Sequence, residues 1–448
     1  MTTKTPLASH LPAKLSICYW GWDWLTAVGA GEAYEDLDRA MRETKERGFN
    51  CIRPDMGLGL VHDAQGRPRG KVRFRAHFPG ANSNLQCINT RGGAEYDVRR
   101  RVLHMMELAD KYDLYVIGTT WLYQDMVSDI DHEGIRREVT AVPYNDRIAT
   151  LGTWWDWLLR EIREHGLLHR FAFVELVNEM DCTSCIWPRE GQEKPTYEDW
   201  FEDKTVPLQA EWLRRMADRG VADLRQEYPE LLITVDLASA NRLGDCLPED
   251  AQVADHHLYH NSVTMDVLFG ENGAGIHPGA KGFSWQTGPA IEENALLASL
   301  LRKDVLNWRD FCKRDTYTRH MWRIIAWFYE NLDNEKYDDW CRAHCHEFRE
   351  RVDANVKSTI RTAADFAEPR GLPLVVDEGY LFFPPLNSRF IMSHEGRWGE
   401  ELAANAAVEA GYWGVLPTGY FRPNTPLGWY DDGQCEWILN LNRRILGK

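Results

Sequence analysis

Two short apolar runs of this chain end in glutamate. FAFVELV at 171–177 is followed by Asn178-Glu179, and PLVVD at 373–377 is followed by Glu378. A pair of carboxyl groups can divide acid/base and nucleophilic work when one stays protonated and the other stays ionised. Breaking a glycosidic bond through a covalent intermediate needs such a pair about 5–5.5 Å apart, flanking the anomeric carbon. One glutamate at a strand end is commonly a cap or an ion-pair partner. Two at matching positions, one of them preceded by Asn, are more specific. The Asn178 amide can bond a sugar hydroxyl beside the reaction centre, and such a bond strengthens as positive charge builds on the ring.

Other chemistry-bearing residues also stand at the ends of apolar runs. Arg53 lies in NCIRPD at 50–55, and His257 and Tyr259 follow QVADHHL at 252–258. Beside Glu378, Arg53 would lower the glutamate pKa by charge pairing and bidentate hydrogen bonding. Tyr259 could orient the same carboxylate. His257 could contact a sugar hydroxyl or support Glu179 through a relay. Glu179 needs the opposite bias, a pKa raised by a neighbouring carboxylate in a partly desolvated cleft. Strand alternation sends Glu175 into the interior and turns Asp377 away from Glu378, toward the surrounding helices.

The elements that would position these residues repeat one rhythm, an amphipathic helix followed by a short apolar run, as in βαβ units of a parallel sheet. Eight strands are expected near 15–20, 50–55, 114–119, 171–177, 231–237, 252–258, 373–377 and 413–418. Helices are expected at 33–47, 95–113, 147–166, 207–228 and 398–411. Eight strands suit a closed (β/α)8 barrel, an α/β fold that can occupy all of residues 1–448 as one domain. Barrel active sites are built on the segments after the strands, and those segments are unequal here. The largest, 260–372 between the sixth and seventh strands, is expected to form a lid or subdomain at the mouth.

These motifs resemble the cellulase-type barrels of glycoside hydrolase clan A, whose best-known member is family 5, and the resemblance extends over most of the chain. Gly48-Phe49-Asn50-Cys51-Ile52-Arg53 is similar to the second-strand motif, Asn178-Glu179 to the acid/base motif, His257-Leu258-Tyr259 to the sixth-strand His-x-Tyr pair, and Glu378 to the nucleophile. The resemblance implies retaining hydrolysis of β-glycosides, with Glu179 as acid/base, Glu378 as nucleophile and no cofactor or catalytic metal. Two positions depart from it. Met180 stands where Pro is usual, and Gly118-Thr119-Thr120-Trp121 where a His is usual.

Composition narrows the partners. A net charge of −16 disfavours phosphate backbones and anionic membrane surfaces, so neither nucleic acid nor membrane is expected. Nineteen tryptophans exceed what core packing alone tends to need, and Trp22, Trp121 and Trp429 are the expected platforms for a carbohydrate substrate. With no secretory h-region and ten scattered cysteines, the chain reads as cytoplasmic. Cys182/Cys185 and Cys341/Cys345 are spaced as partial zinc ligand sets, yet neither has a second half. No nucleotide fingerprint or serine elbow accompanies a strand-to-helix turn. Exo action on small glycosides is the expected mode. A sugar-binding barrel without catalysis is the rival reading, and oligomeric state is not encoded in any of these features.

Overall fold

The computed structural model describes residues 7–75, 90–143, 146–181, 206–260, 262–264, 295–303, 327–381 and 385–448. Eight parallel strands make one sheet: β1 (Leu15–Gly21), β2 (Cys51–Pro54), β3 (Tyr115–Gly118), β4 (Phe171–Glu175), β5 (Ile233–Thr234), β6 (Ala254–Asp255), β7 (Leu374–Val376) and β8 (Gly414–Val415). Their order is β5-β4-β3-β2-β1-β8-β7-β6. The two edges meet through Gln252 N donating to Ile233 O at 3.1 Å and His257 N donating to Leu237 O at 2.9 Å, so the sheet is a nearly closed barrel. Seven of the eight strands fall inside the predicted runs and are shorter than them, because pairing stops where the chain turns into the mouth loops; β1 instead runs one residue past its predicted end, to Gly21. Strands covered on both faces read as continuous apolar runs, and the seven residues of β1 are buried throughout.

The outer layer contains α1 (Leu37–Glu46), α2 (Val98–Lys111), α3 (Arg147–Glu164), α4 (Val206–Glu227), α5 (Arg349–Ala367), α6 (His394–Glu409) and α7 (Asp432–Ile445). Each predicted helix has a counterpart. Caps set the observed starts: Asp36 and Asp97, accepting from Arg39 N and Arg100 N, trim two helices, and Ser393, accepting from Gly396 N, starts α6 four residues before its predicted beginning. The helix expected from 95 starts at Val98 because Glu95–Asp97 pairs antiparallel with Lys71–Arg73. Only part of 260–372 lies within the described residues. Within it, α5 packs against α6, β7 and Leu243–Cys246, as a barrel helix before the seventh strand does.

Three loop backbones converge at the mouth beside Glu378. Gly379 and Tyr380 pair in parallel with Leu258 and Tyr259. A Cβ on Gly379 would lie 2.1 Å from Leu258 O, and one on Gly419, after β8, would lie 1.8 Å from Gly379 O. Glycine is required at both positions for backbone-to-backbone packing. Gly419→Ala is therefore expected to destabilise the protein by about 1–3 kcal/mol, the usual cost of overpacking, in urea unfolding. An unchanged midpoint would show that these loops can move apart freely.

Candidate active site

Arg53 projects from β2 into the barrel, where its side chain is 0% exposed. Four carboxylates surround the guanidinium. Nη2 lies 2.7 Å from Glu175 Oε2 and 3.1 Å from Asp236 Oδ2, Nε lies 2.7 Å from Asp377 Oδ2, and Nη1 donates to Glu378 Oε2 at 2.9 Å. Nη2 also donates to Asn178 Oδ1 at 2.7 Å, and the cation sits 4.8 Å from the centre of the Trp121 ring. A planar fork with five donors can serve this many acceptors from different strands, which a lysine ammonium cannot. Glu175 faces the interior as alternation predicts. Asp377 does not turn toward the helices: it is inside the barrel with Glu378. Alternation holds only along a pleated strand, and β7 ends at Val376, so both acids turn to the buried cation.

The two glutamates of interest meet across the mouth. One carboxylate oxygen of Glu179, one of Glu378 and one His257 nitrogen all lie within 4.8 Å of one another. Glu378 Oε1 accepts from Tyr259 Oη at 2.6 Å. Glu179 Oε2 accepts from Gln124 Nε2 at 2.7 Å, and its Oε1 lies 2.9 Å from His257 Nδ1. Both side chains keep some access to solvent, 12% for Glu179 and 15% for Glu378. Asn178 is fully buried, with Nδ2 donating to Gln124 Oε1 at 2.8 Å. Glu179 has a left-handed φ of +43°, uncommon outside glycine. Its N–H donates to Asp236 Oδ2 at 3.0 Å, and the next N–H, of Met180, donates to Asp236 O at 3.0 Å.

Electrostatics modify one expectation. Arg53 acts to lower the Glu378 pKa, as do His257 and the Tyr259 hydrogen bond. Burial outweighs them, with the Glu179 charge adding to it, and the Glu378 pKa is raised above the usual carboxylate value. Burial also works against a charge on His257. The Asp236 and Glu378 carboxylates, with the contacts to Asp236 and Glu179, overcome it and raise the imidazole well above its usual value.

The aromatic candidates divide. Trp22 and Trp121 stand together, ring centres 5.6 Å apart, and Trp121 also meets the edge of Tyr19 at 5.8 Å. Trp121 is 1% exposed and backs Arg53, so of the two it is Trp22, at 8%, that has more surface toward the mouth. Trp429 is not brought to the site. It is wholly buried in the outer layer, stacked on Phe49 and covered by Arg47, with Nε1 donating to Glu43 Oε2 at 2.8 Å. The short helix Pro426–Trp429 turns it inward, and an enclosed indole cannot stack on a sugar.

Cys182 and Cys185 lie outside the described residues. Cys341, on the helix Asn334–His344, is buried, and burial pushes its thiol pKa up, away from the thiolate that zinc requires. Among the described residues, the His, Cys, Asp and Glu clusters tight enough for an ion are the three around His257 and Arg53, and neither cysteine takes part in them.

Gln124, Asp236 and Asp377 were not among the predicted site residues. Asp236 had a signal, a polar residue at the end of the apolar run 231–237, of the same kind that singled out Glu179. Gln124 had none. It lies in Leu122–Met126, a turn after β3, and reaches Asn178 and Glu179 from the loop where the resemblance led one to expect a His.

The chain is thus a parallel (β/α)8 barrel that carries facing glutamates after its fourth and seventh strands. The sequence model of the Cellulase-like family, described as sugar-binding cellulase-like, matches residues 17–446, and this chain belongs to that family. A Parabacteroides distasonis protein assigned as a glycoside hydrolase is similar in structure, with a TM-score of 0.64 at 17% identity over 97% of this chain and 94% of its own. That likeness shows the fold. A trimodular family 5 subfamily 4 endoglucanase has a TM-score of 0.49 at 13% identity, over 99% of this chain and 62% of its own. No curated protein matches.

Asp255, inside the barrel near Glu175 and Asp377, provides a test of these fields. Burial, then the charges of Glu175 and Asp236, raises its pKa well above 3.8. An acid whose folded pKa is raised holds its proton on folding, so the stability it contributes declines as pH rises from its unfolded value through its folded one. Asp255→Asn removes that slope. Between pH 5 and pH 8 the unfolding free energy of the variant should gain on the wild type by at least about 1.4 kcal/mol, the equivalent of one pH unit. A constant difference would contradict the assignment.

Proposed function

We propose that this protein hydrolyses β-linked glycosides or oligosaccharides with retention, by double displacement. The observation that carries this reading is the Glu179–Glu378 approach within 4.8 Å, with each carboxylate held by different partners. A separation in this range suits direct attack by one carboxylate, whereas inversion needs roughly 6.5–9.5 Å to admit a water between them. Glu378, fixed by Arg53 and Tyr259, attacks the anomeric carbon. Glu179 protonates the departing oxygen and then takes a proton from the incoming water. The Asn178 amide, 0% exposed, is held by Arg53 at Oδ1 and gives one Nδ2–H to Gln124, so contact with a sugar hydroxyl would require Gln124 or its loop to move aside. Trp22, 8% exposed, is the aromatic platform for a sugar ring in this reading.

We also propose exo action, from the length of the segment between the sixth and seventh strands, which would narrow a cleft to a pocket. A cytoplasmic site of action fits the buried, unpaired thiols of Cys18, Cys51, Cys246 and Cys341. The family description, which names sugar binding, favours one second reading: a barrel that holds sugar without cleaving it.

A panel of chromogenic β-glycosides separates these readings. Glu179→Gln and Glu378→Gln are each expected to lose about 10²–10⁴-fold in turnover. Azide should restore Glu378→Gly and give the glycosyl azide of inverted configuration. Sugar binding by the wild type without turnover of any glycoside would favour the second reading. Internal cleavage of an oligosaccharide from the first turnovers would overturn exo action.

A further inference from the structure

We propose that Asp236, just after the fifth strand, is a positioning residue that fixes Glu179 and His257 together, so that His257 carries the proton that Glu179 delivers. This deepens the glycosidase reading and rests on it.

Asp236 is completely buried, and a single oxygen does most of its work. Oδ2 accepts from the Glu179 N–H at 3.0 Å, lies 2.7 Å from His257 Nε2 and accepts from Arg53 Nη2 at 3.1 Å. Its backbone carbonyl accepts from Met180 N. Asp236 therefore clamps the main chain on both sides of the left-handed Glu179, a conformation that persists only where its surroundings over-determine it. The His257 ring has a carboxylate oxygen beside each nitrogen, Asp236 Oδ2 at 2.7 Å from Nε2 and Glu179 Oε1 at 2.9 Å from Nδ1. Gln124 donates to one Glu179 oxygen and His257 Nδ1 lies 2.9 Å from the other, so a proton on Nδ1 would complete the donor set of an ionised carboxylate.

Every element packed against His257 contributes to this balance. The loop after β4 supplies Glu179 and the segment after β5 supplies Asp236. The β7 loop supplies Asp377 at 3.7 Å and Glu378 at 3.6 Å from Nε2. Tyr259 presents its ring at 6.0 Å between centres. Arg53 is the opposing cation, behind Asp236. Burial lowers the neighbouring His256 to about 4, which leaves it neutral. Negative groups outnumber positive ones, and the imidazole keeps two protons.

The protons balance over a cycle. The Nδ1 proton passes to Glu179 and on to the departing oxygen, leaving neutral His257 and ionised Glu179. Glu179 then takes a proton from the incoming water, whose oxygen bonds to the sugar, and returns it to Nδ1.

The test is a 15N titration of protein labelled at histidine, with His257 assigned by the signals lost in His257→Gln. Wild-type His257 should remain an imidazolium through pH 6.5 to at least pH 7.5. Asp236→Asn, its fold checked by thermal melting, should bind that proton at least tenfold more weakly. A merely structural Asp236 would not move this titration. Neutral wild-type His257 at pH 6.5 overturns the proposal even if the variant does not fold, and an unshifted variant also overturns it. On the sugar that the wild type accepts, Asp236→Asn should lose at least tenfold more kcat/KM with the methyl β-glycoside than with the 2,4-dinitrophenyl β-glycoside, which needs little acid assistance. Equal losses would contradict it. If the wild type cleaves no glycoside, the hydrolase reading fails, while the titration still decides whether Asp236 controls His257.

Discussion

The guanidinium of Arg53 is the interaction on which the rest of this site depends. A cation with no solvent exposure carries an idealised desolvation cost of order 20 kcal/mol, which falls only when its donors meet well-placed acceptors. Those acceptors come from β4 and the segments after β4, β5 and β7: Glu175, Asn178, Asp236, Asp377 and Glu378. The cation thus gathers loops that are far apart in sequence, and it brings Glu378 to the mouth as one of its ligands. The barrel interior, which in many folds of this shape is filled by branched aliphatic side chains, is a charge network here.

A second consequence is the asymmetry between the paired glutamates. Glu378 is tied directly to Arg53 and Tyr259. Glu179 is reached from Arg53 only through intermediaries, Asp236 with His257 on one side and Asn178 with Gln124 on the other. Two carboxylates in one cleft perform different tasks when their surroundings differ, and these surroundings differ in the sign and number of nearby charges. The glycines at 379 and 419 serve the same end by letting the loops after β6, β7 and β8 pack without side chains between them.

The strands and helices were legible because periodicity and burial act locally. Each of the eight strands overlaps a predicted apolar run, and the end of a run located Arg53, Glu179, His257 and Glu378. What escaped was either non-local or beyond a strand's end. Asp377 was assigned to the wrong side because the pleat stops at Val376 and the buried cation then decides its direction. Trp429 follows a strand in sequence but is folded back against α1, a matter of helix packing that local pattern does not carry. Gln124 is a polar residue in a loop with no periodic signal. The Glu378 pKa was misjudged because one charged neighbour is visible in the sequence and the depth of burial is not.

The central claim, that Glu378 forms a covalent bond to the sugar, can be examined directly. A 2-deoxy-2-fluoro-β-glycoside with a dinitrophenolate leaving group slows breakdown of such an adduct, so that mass spectrometry of proteolysed enzyme can locate it. The account predicts one fluorosugar on the peptide containing Glu378, with loss of activity in step with labelling. A label on another carboxylate, or hydrolysis of the reagent with no adduct and inverted product, would contradict it.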